Sequence, residues 1–373
     1  MEAGFRKDWL SRILTGFSPV QAGLLFFCIN FLVDFILAGA FGVILPKGGK
    51  NGLISESMVW ASDFLIQPVI IGYFIWFRKA PQRLVESLVT KNVISTSGDI
   101  TSEFEQFPKI CQSKWTELLA TLISIVLVIF FALSIPISNP NYTGWVSINP
   151  IVPWIRGAFS LFAYYASLIL IFDLIVFIRI LKLIFNRNII IVHPYDPDGA
   201  GRLGIIGKFV SNLCYLLGAF GFYVSISLLT NTMPNGISSI GIIYLAKVGG
   251  LIVYLLLAPV LFLLPLYSGH QAMLEWRNKW LVDIQKNIET EISLMHNSLN
   301  NSIDLRNSME KLNSLREAYS QVESFPVWPF NNKSIKKYFG VVLSSIIPGI
   351  MSVLVNLNKI FTELDTLGKH FMK

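Results

Sequence analysis

The chain has 373 residues, of which 53% are hydrophobic and only 14% charged, and its mean hydropathy is +0.58. A soluble domain carries about 25% charged residues, so this composition excludes a water-soluble globule and places the chain in a membrane. The three cysteines, Cys28, Cys111 and Cys214, are too far apart for a disulfide framework or a zinc site.

The N-terminal arm carries Arg6, Lys7 and Arg12 before the first apolar run. That run is too long for a signal-peptide core and shows no small-residue cleavage pattern, so it reads as a retained first span. A crossing helix needs about 20 mainly apolar residues. Six segments qualify: 22–45, 58–77, 117–137, 156–184, 209–230 and 240–267. A seventh, 338–358, is uncharged but has Pro348-Gly349 at its centre. The expected fold class is all-α, a polytopic membrane helical bundle. Residues 1–267 form its six-span part, with cytoplasmic loops at 78–116 and 185–208. Residues 268–337 form a cytoplasmic helical region, and 338–373 a C-terminal membrane-associated segment. A full seventh crossing would put Lys359, Lys369 and Lys373 on the wrong side, so this segment is expected to be re-entrant or interfacial, broken or bent at Pro348-Gly349.

Orientation follows from lysine and arginine. The arm has three, 46–57 two, 78–116 six, 138–155 none, 179–208 five, 231–239 none and 268–337 nine. Rich and poor segments alternate, which fits six spans with the N-terminus in the cytoplasm. The charge of +7 is then this bias. No aromatic-interleaved basic groove appears, so nucleic acid is not an expected partner.

Within 268–337, Leu281, Ile284, Ile288, Ile292, Met295 and Leu299 recur at helical spacing, as do Met309, Leu312, Leu315, Tyr319 and Val322. The Asn- and Ser-rich NSLNNSID between them favours a turn, giving a helical hairpin or one long bent helix. Its two readings are a hairpin packed on itself and a stalk for oligomerisation or a cytoplasmic partner. FPVWPFN then stops the helix with two prolines. Phe325, Trp328 and Phe330 suit a packed corner at the headgroup level.

The loop HPYDPDGAGRLG, from His193 to Gly204, joins the fourth and fifth spans. His193, Asp196 and Asp198 offer one imidazole and two carboxylates, to which His270 could add a second imidazole; a catalytic zinc wants two or three His or Cys, or two His with a carboxylate. Arg202 and Lys208 beside a helix N-terminus offer an anionic-ligand site. The structural reading is a rigid joint, with turns at Asp196 and Asp198 and tight backbone at Gly199, Gly201 and Gly204. No GxSxG, HExxH or CxxC pattern occurs, so no catalytic residue, metal or cofactor is expected.

The residues His193, Pro194, Pro197, Asp198, Gly199, Ala200, Gly201, Leu203, Gly204 and Gly207, followed later by Pro326, Val327, Trp328, Pro329 and Phe330, carry a resemblance. The chain resembles a group of poorly characterised bacterial multi-pass membrane proteins with an HPxxPDGAGxLG-like loop and a PVWPF corner. That implies a bacterial inner-membrane setting and no particular activity. Arg202 stands where such proteins commonly have another glycine.

Charges inside spans are costly and therefore informative. Asp34, Asp63, Asp173 and Lys247 are such charges, and Asp63 with Lys247 is the expected pair by depth. Ser345, Gly349, Ser352 and Asn356 line one helix face, either for close packing or along a wet path in an oligomer. The expected function is a non-enzymatic, homo-oligomeric channel or pore-like effector gated from its cytoplasmic side. A secondary transporter is the first alternative, and a metal-dependent hydrolase using His193 and Asp198 the second. The lipid bilayer is an expected partner, as is a cytoplasmic protein or an anionic ligand at the helical cap.

Overall fold

Helix ends in this chain follow local capping chemistry. The computed structural model describes residues 8–46, 51–94, 113–138, 144–187, 190–193, 196–229, 238–297, 302–330 and 332–355. Asp8 opens α1 (Trp9–Ile13), its Oδ1 accepting the Ser11 N–H at 2.7 Å. Ser18 and Gln21 form a reciprocal capping box around Pro19 and open α2 (Pro19–Ala40). Gly42, at φ +67°, ends α2: the Val43 N–H reaches Ala38 O at 2.8 Å and the Gly42 N–H reaches Gly39 O at 3.0 Å. This left-handed stop closes the helix at Ala40 instead of carrying it to 45.

The remaining helices are α3 (Ser57–Phe77), α4 (Ala80–Thr90), α5 (Lys114–Ser138), α6 (Ile151–Arg187), α7 (Gly204–Leu229), α8 (Ser238–Asn297), α9 (Ser302–Glu323) and α10 (Asn332–Val355). Six helices among the described residues, α2, α3, α5, α7, α8 and α10, are long and apolar enough to cross a membrane. Helix α6 has 37 residues and packs on α3, α5 and α8. The protein is therefore an all-α, multi-pass membrane protein. The nearest thing to a sheet among the described residues is one isolated antiparallel bridge, Ile94 with Ile190.

Lipid tails are as apolar as leucine, so helices in a bilayer associate by close fit rather than by escape from water. Small residues make that fit. A Cβ on Gly23 would lie 3.0 Å from Pro68 O, and one on Gly72 3.0 Å from Pro19 O, so α2 and α3 cross with backbones nearly touching. Helices α7 and α10 pair the same way: Gly349 lies against Ser225, and Gly221 against Ser345 and Tyr254. Large apolar side chains stay exposed along α5 (Leu118, Leu122, Val126, Phe130) and α8 (Ile252, Leu256, Val260). Such stripes are a liability in water and are covered by lipid in a membrane.

Two elements depart from the simplest sequence reading. Helix α10 runs unbroken through Pro348-Gly349, and its stretch Ile335–Leu354 has the length and hydropathy of a span. Helix α8 continues for 60 residues through Pro259 and Pro265, so there is no structural break near 267. Its far half pairs with α9 as the expected hairpin. Ile284 and Leu312 are buried there, and Lys311 Nζ meets Glu291 Oε2 at 2.6 Å. Ile292 and Met309, half of the predicted stripe's outer end, remain about half exposed.

The crossing of α2 and α3 gives a direct test. Gly72→Leu should cost about 1–3 kcal/mol, because its Cβ meets a backbone carbonyl that cannot step aside. Gly340 has nothing within 4 Å of such a Cβ. Gly340→Leu should therefore leave the thermal unfolding midpoint in detergent unchanged, whereas Gly72→Leu lowers it by several degrees.

Candidate functional site

The charged side chains of three helices converge near the lysine-poor end of the bundle. Asp34 lies six residues before the end of α2, Asp63 six residues into α3 and Arg156 five residues into α6. At 1.5 Å per residue, each is about 8–9 Å inside its helix end. Arg156 NH2 binds Asp63 Oδ2, and Arg156 Nε faces Asp34 Oδ1 at 3.2 Å. Asp34 is 2% exposed and Asp63 6%. The guanidinium also lies over the Trp145 ring, 5.2 Å from its centroid.

A π turn sets Asp63 in place. Residues Ser62–Ile66 take i to i+5 hydrogen bonding, so the Gln67 N–H bonds Ser62 O rather than Asp63 O. The freed Asp63 carbonyl accepts from Asn30 Nδ2 at 2.8 Å, tying the turn to α2. The Asp63 carboxylate accepts from Ser62 Oγ at 2.6 Å and from Gln67 Nε2 at 2.8 Å, in addition to Arg156. Gln67 in turn meets Asn30 at 3.2 Å and Ser160 Oγ at 3.1 Å. Asp34 differs: its Oδ2 is buried and has no hydrogen-bond partner.

Glu56, one residue before α3 and 9% exposed, is the third carboxylate within electrostatic reach of Arg156. A small apolar core of Ala38, Val43, Leu53, Val59, Trp145 and Val152 covers this end of the bundle. The cluster is thus a largely buried group of charges, with three carboxylates about one guanidinium.

The expected pairing of Asp63 with Lys247 is corrected by this geometry. Lys247 Nζ donates to Ser227 O on α7 at 3.1 Å, and Asp63 is held by Arg156. Arg156 was the residue missed, because it opens an apolar run where an arginine looks like a boundary residue. Asp173 is half-buried in α6, about 26 Å along the axis from Arg156, and belongs elsewhere. Ser345 O accepts from Ser225 Oγ at 2.7 Å, and Ser352 Oγ donates to Leu228 O at 3.2 Å, so this face of α10 is buried on α7. Asn356 lies outside the described residues.

At the opposite end, the His193–Gly204 loop is bound together by its own carboxylates; Pro194 and Tyr195 lie outside the described residues. Asp198 Oδ1 accepts from the N–H groups of Ala200 (2.8 Å) and Arg202 (3.1 Å), and its Oδ2 from Gly204 (3.2 Å). The N-terminus of α7 is therefore capped from within. Asp196 Oδ1 takes the Asp198 N–H at 3.1 Å and its Oδ2 takes Arg202 Nε at 2.8 Å. Arg202 holds the Asp196 carboxyl below its usual range. Arg202 itself sits at φ +71°, the left-handed backbone that a glycine adopts without strain, and its guanidinium also donates to Lys91 O at 2.9 Å. His193 Nε2 lies 3.4 Å from Asn92 O, and the Ile191 N–H reaches Val93 O at 2.8 Å. Among the described residues no three His, Cys, Asp or Glu gather closely enough to hold a metal ion.

The PVWPF corner completes this joint. Phe325 is buried between Gly201 and Trp276. Trp328 stacks on His270 at 4.0 Å, His270 Nδ1 lies 2.7 Å from Val327 O, and Phe330 stacks on Trp328 at 5.4 Å. Pro329 fills the space left by Gly207 and Gly269. The loop, the corner and α8 meet at this point.

Removing Arg156 should expose the cost of the cluster. Arg156→Ala should destabilise by about 3–5 kcal/mol, because it leaves buried carboxylates without a counter-charge. Adding Asp34→Asn and Asp63→Asn to Arg156→Ala should recover part of that loss in a thermal unfolding series. Burial pushes the Glu56 carboxyl up to about 7, opposed by Arg156 and the Trp145 backbone N–H. Its charge is easier to form in the unfolded chain, so stability should fall as pH rises from about 4.3 to that value and level off above it. Glu56→Gln should flatten this slope. At the joint, Gly201→Val should reduce folded protein, since Gly201 is at φ +61° and packed on Val192 and Phe325, whereas His193→Ala should leave folding intact. No protein-family model matches the chain, and no curated protein or solved structure is significantly similar to it.

Proposed function

We propose that this multi-pass membrane protein moves small ions without catalysing a reaction, and that the Asp34–Asp63–Arg156 cluster is its charged station. The observation that carries this reading is the burial of three carboxylates around one guanidinium, with one oxygen of Asp34 left without a donor. Charges inside a membrane are retained where a path for charge needs them. The lysine- and arginine-rich end, with the His193 loop and the α8–α9 hairpin, faces the cytoplasm of a bacterial cell. The hairpin receives a cytoplasmic signal, and the joint of Asp198, Phe325 and Trp328 passes it to α7 and α8.

In the channel version, copies of the chain associate and the conducting path lies between them. A secondary transporter is the second reading. It is favoured by the burial of Ser345 and Ser352 against α7, which leaves the buried charge cluster, and no polar stripe, as the station.

Purified protein in proteoliposomes and in planar bilayers tests both versions. Voltage-driven current at the single-molecule level supports the channel; slow, gradient-driven flux supports the transporter. Asp63→Asn should reduce either by at least about tenfold, since an intramembrane barrier changes steeply with one charge. Parent-like flux in folded Asp63→Asn and Asp34→Asn removes the cluster from the path.

A further inference from the structure

We propose that the Arg156 cluster is an exchangeable proton site, in which Asp34 takes up and returns a proton on its buried Oδ2 while Asp63 remains the fixed anion and Glu56 relays the proton to the lysine-poor surface. The proposal rests on reading the cluster as a charged station, and it names the ion.

Charge counting comes first. Arg156 brings one positive charge against Asp34, Asp63 and Glu56. Three ionised carboxylates would leave two uncompensated negative charges in a buried cluster, which costs several kcal/mol even after relaxation. A proton is the smallest species that lowers this imbalance without needing a cavity: one on Asp34 leaves a single excess negative charge, and a second on Glu56 removes it.

Donor counting then selects the residue. Asp63 is surrounded by Ser62 Oγ, Gln67 Nε2 and the Arg156 guanidinium, a shell that favours a carboxylate anion. Asp34 meets the Asp63 carboxylate, which brings no proton of its own, and faces the Nε edge of Arg156 at 3.2 Å without forming a hydrogen bond to it, and its other oxygen has no donor at all. A neutral carboxyl group is the cheaper occupant of such a place. Proton uptake on Asp34 also leaves Arg156 to Asp63 alone, and proton release lets the two carboxylates compete for it. Since Asp34 is on α2 and Asp63 on α3, this competition biases how the two helices sit against α6.

Access follows from position. Glu56 precedes α3 at the lysine-poor end, is 9% exposed and interacts with both Arg156 and Asp63. The titratable groups around the site are Asp63 and Glu56 from α3 and its leading edge, Arg156 and Tyr164 from α6, and Tyr223 from α7. The step moves one proton and no electrons: an O–H bond on Glu56 breaks and one on Asp34 forms.

Infrared spectroscopy of the full-length protein in detergent, titrated from acid to alkaline pH, tests the proposal without requiring transport. The parent should show a protonated-carboxyl band that disappears as pH rises. That band should be lost in Asp34→Asn and displaced in Asp34→Glu, and Asp173→Asn should keep it. Asp34→Glu retains the carboxyl, so the test stands if Asp34→Asn does not fold. A band unchanged in Asp34→Asn or Asp34→Glu, a parent with no titrating band, or a midpoint that moves when sodium replaces potassium would overturn the proton assignment. Proteoliposomes loaded with a pH-sensitive dye separate the two readings. A titrating Asp34 with no ion flux supports the proton site and overturns the proposed function. Flux of another ion with no titrating carboxyl does the reverse.

Discussion

A guanidinium taken out of water has to find its partners inside the protein, and most of this architecture can be read as the means by which Arg156 finds them. Its partners come from two other helices: Asp34 from α2 and Asp63 from α3. A misplaced crossing of any of the three would strand a charge in hydrocarbon, which is far more costly than a lost van der Waals contact. The close approach at Gly23 and Gly72 and the π turn at Ser62–Ile66 therefore serve the same end as the ion pairs. They bring two carboxylates from different helices to one side chain.

Much of the fold was legible in the sequence, because hydropathy over 20 residues is a strong signal and no soluble alternative competes with it. The hairpin was legible too, since its stripes at Ile284 and Leu312 have helical spacing. Asp34 and Asp63 stood out as charges within apolar runs. What they contact did not, because depth along a helix says nothing about which helix lies opposite. Lys247 has the right depth for Asp63 but faces Ser227. Arg156 sits at the mouth of its apolar run, where arginine is ordinary, and only the crossing of α6 makes it central. The π turn left no pattern to read. The face of Ser345, Gly349 and Ser352 was visible as a face, yet nothing in the chain said that α7 would cover it.

The loop that looked richest in chemistry proves to use its groups on itself. Asp198 spends both oxygens on three backbone N–H groups, and Asp196 holds Arg202. Two carboxylates, a histidine and an arginine in twelve residues resemble a reactive site in one dimension. In three they act as mortar for a chain path with three residues at positive φ, Gly199, Gly201 and Arg202. The cluster that carries the proposed function, by contrast, is drawn from segments some 90 residues apart in the chain, Asp63 and Arg156 among them.

The unbroken course of α8 has a mechanical consequence. A helix of 60 residues is a rod about 90 Å long, and the 30 residues beyond 267 form an arm of about 45 Å. No loop interrupts it where it leaves the bundle, and Pro259 and Pro265, which each remove a backbone hydrogen bond of the helix, place the points of easiest bending just inside that exit. The stack of His270 on Trp328, with Pro329 seated in the gap at Gly269, lies at the base of the arm and acts as a fulcrum. For an arm of that length, a tilt of about 5° at the fulcrum corresponds to about 4 Å at the tip. A partner that displaces the tip by the width of one side chain therefore needs only a few degrees of rotation inside the membrane, a change that closely packed helices can accommodate by sliding rather than by coming apart.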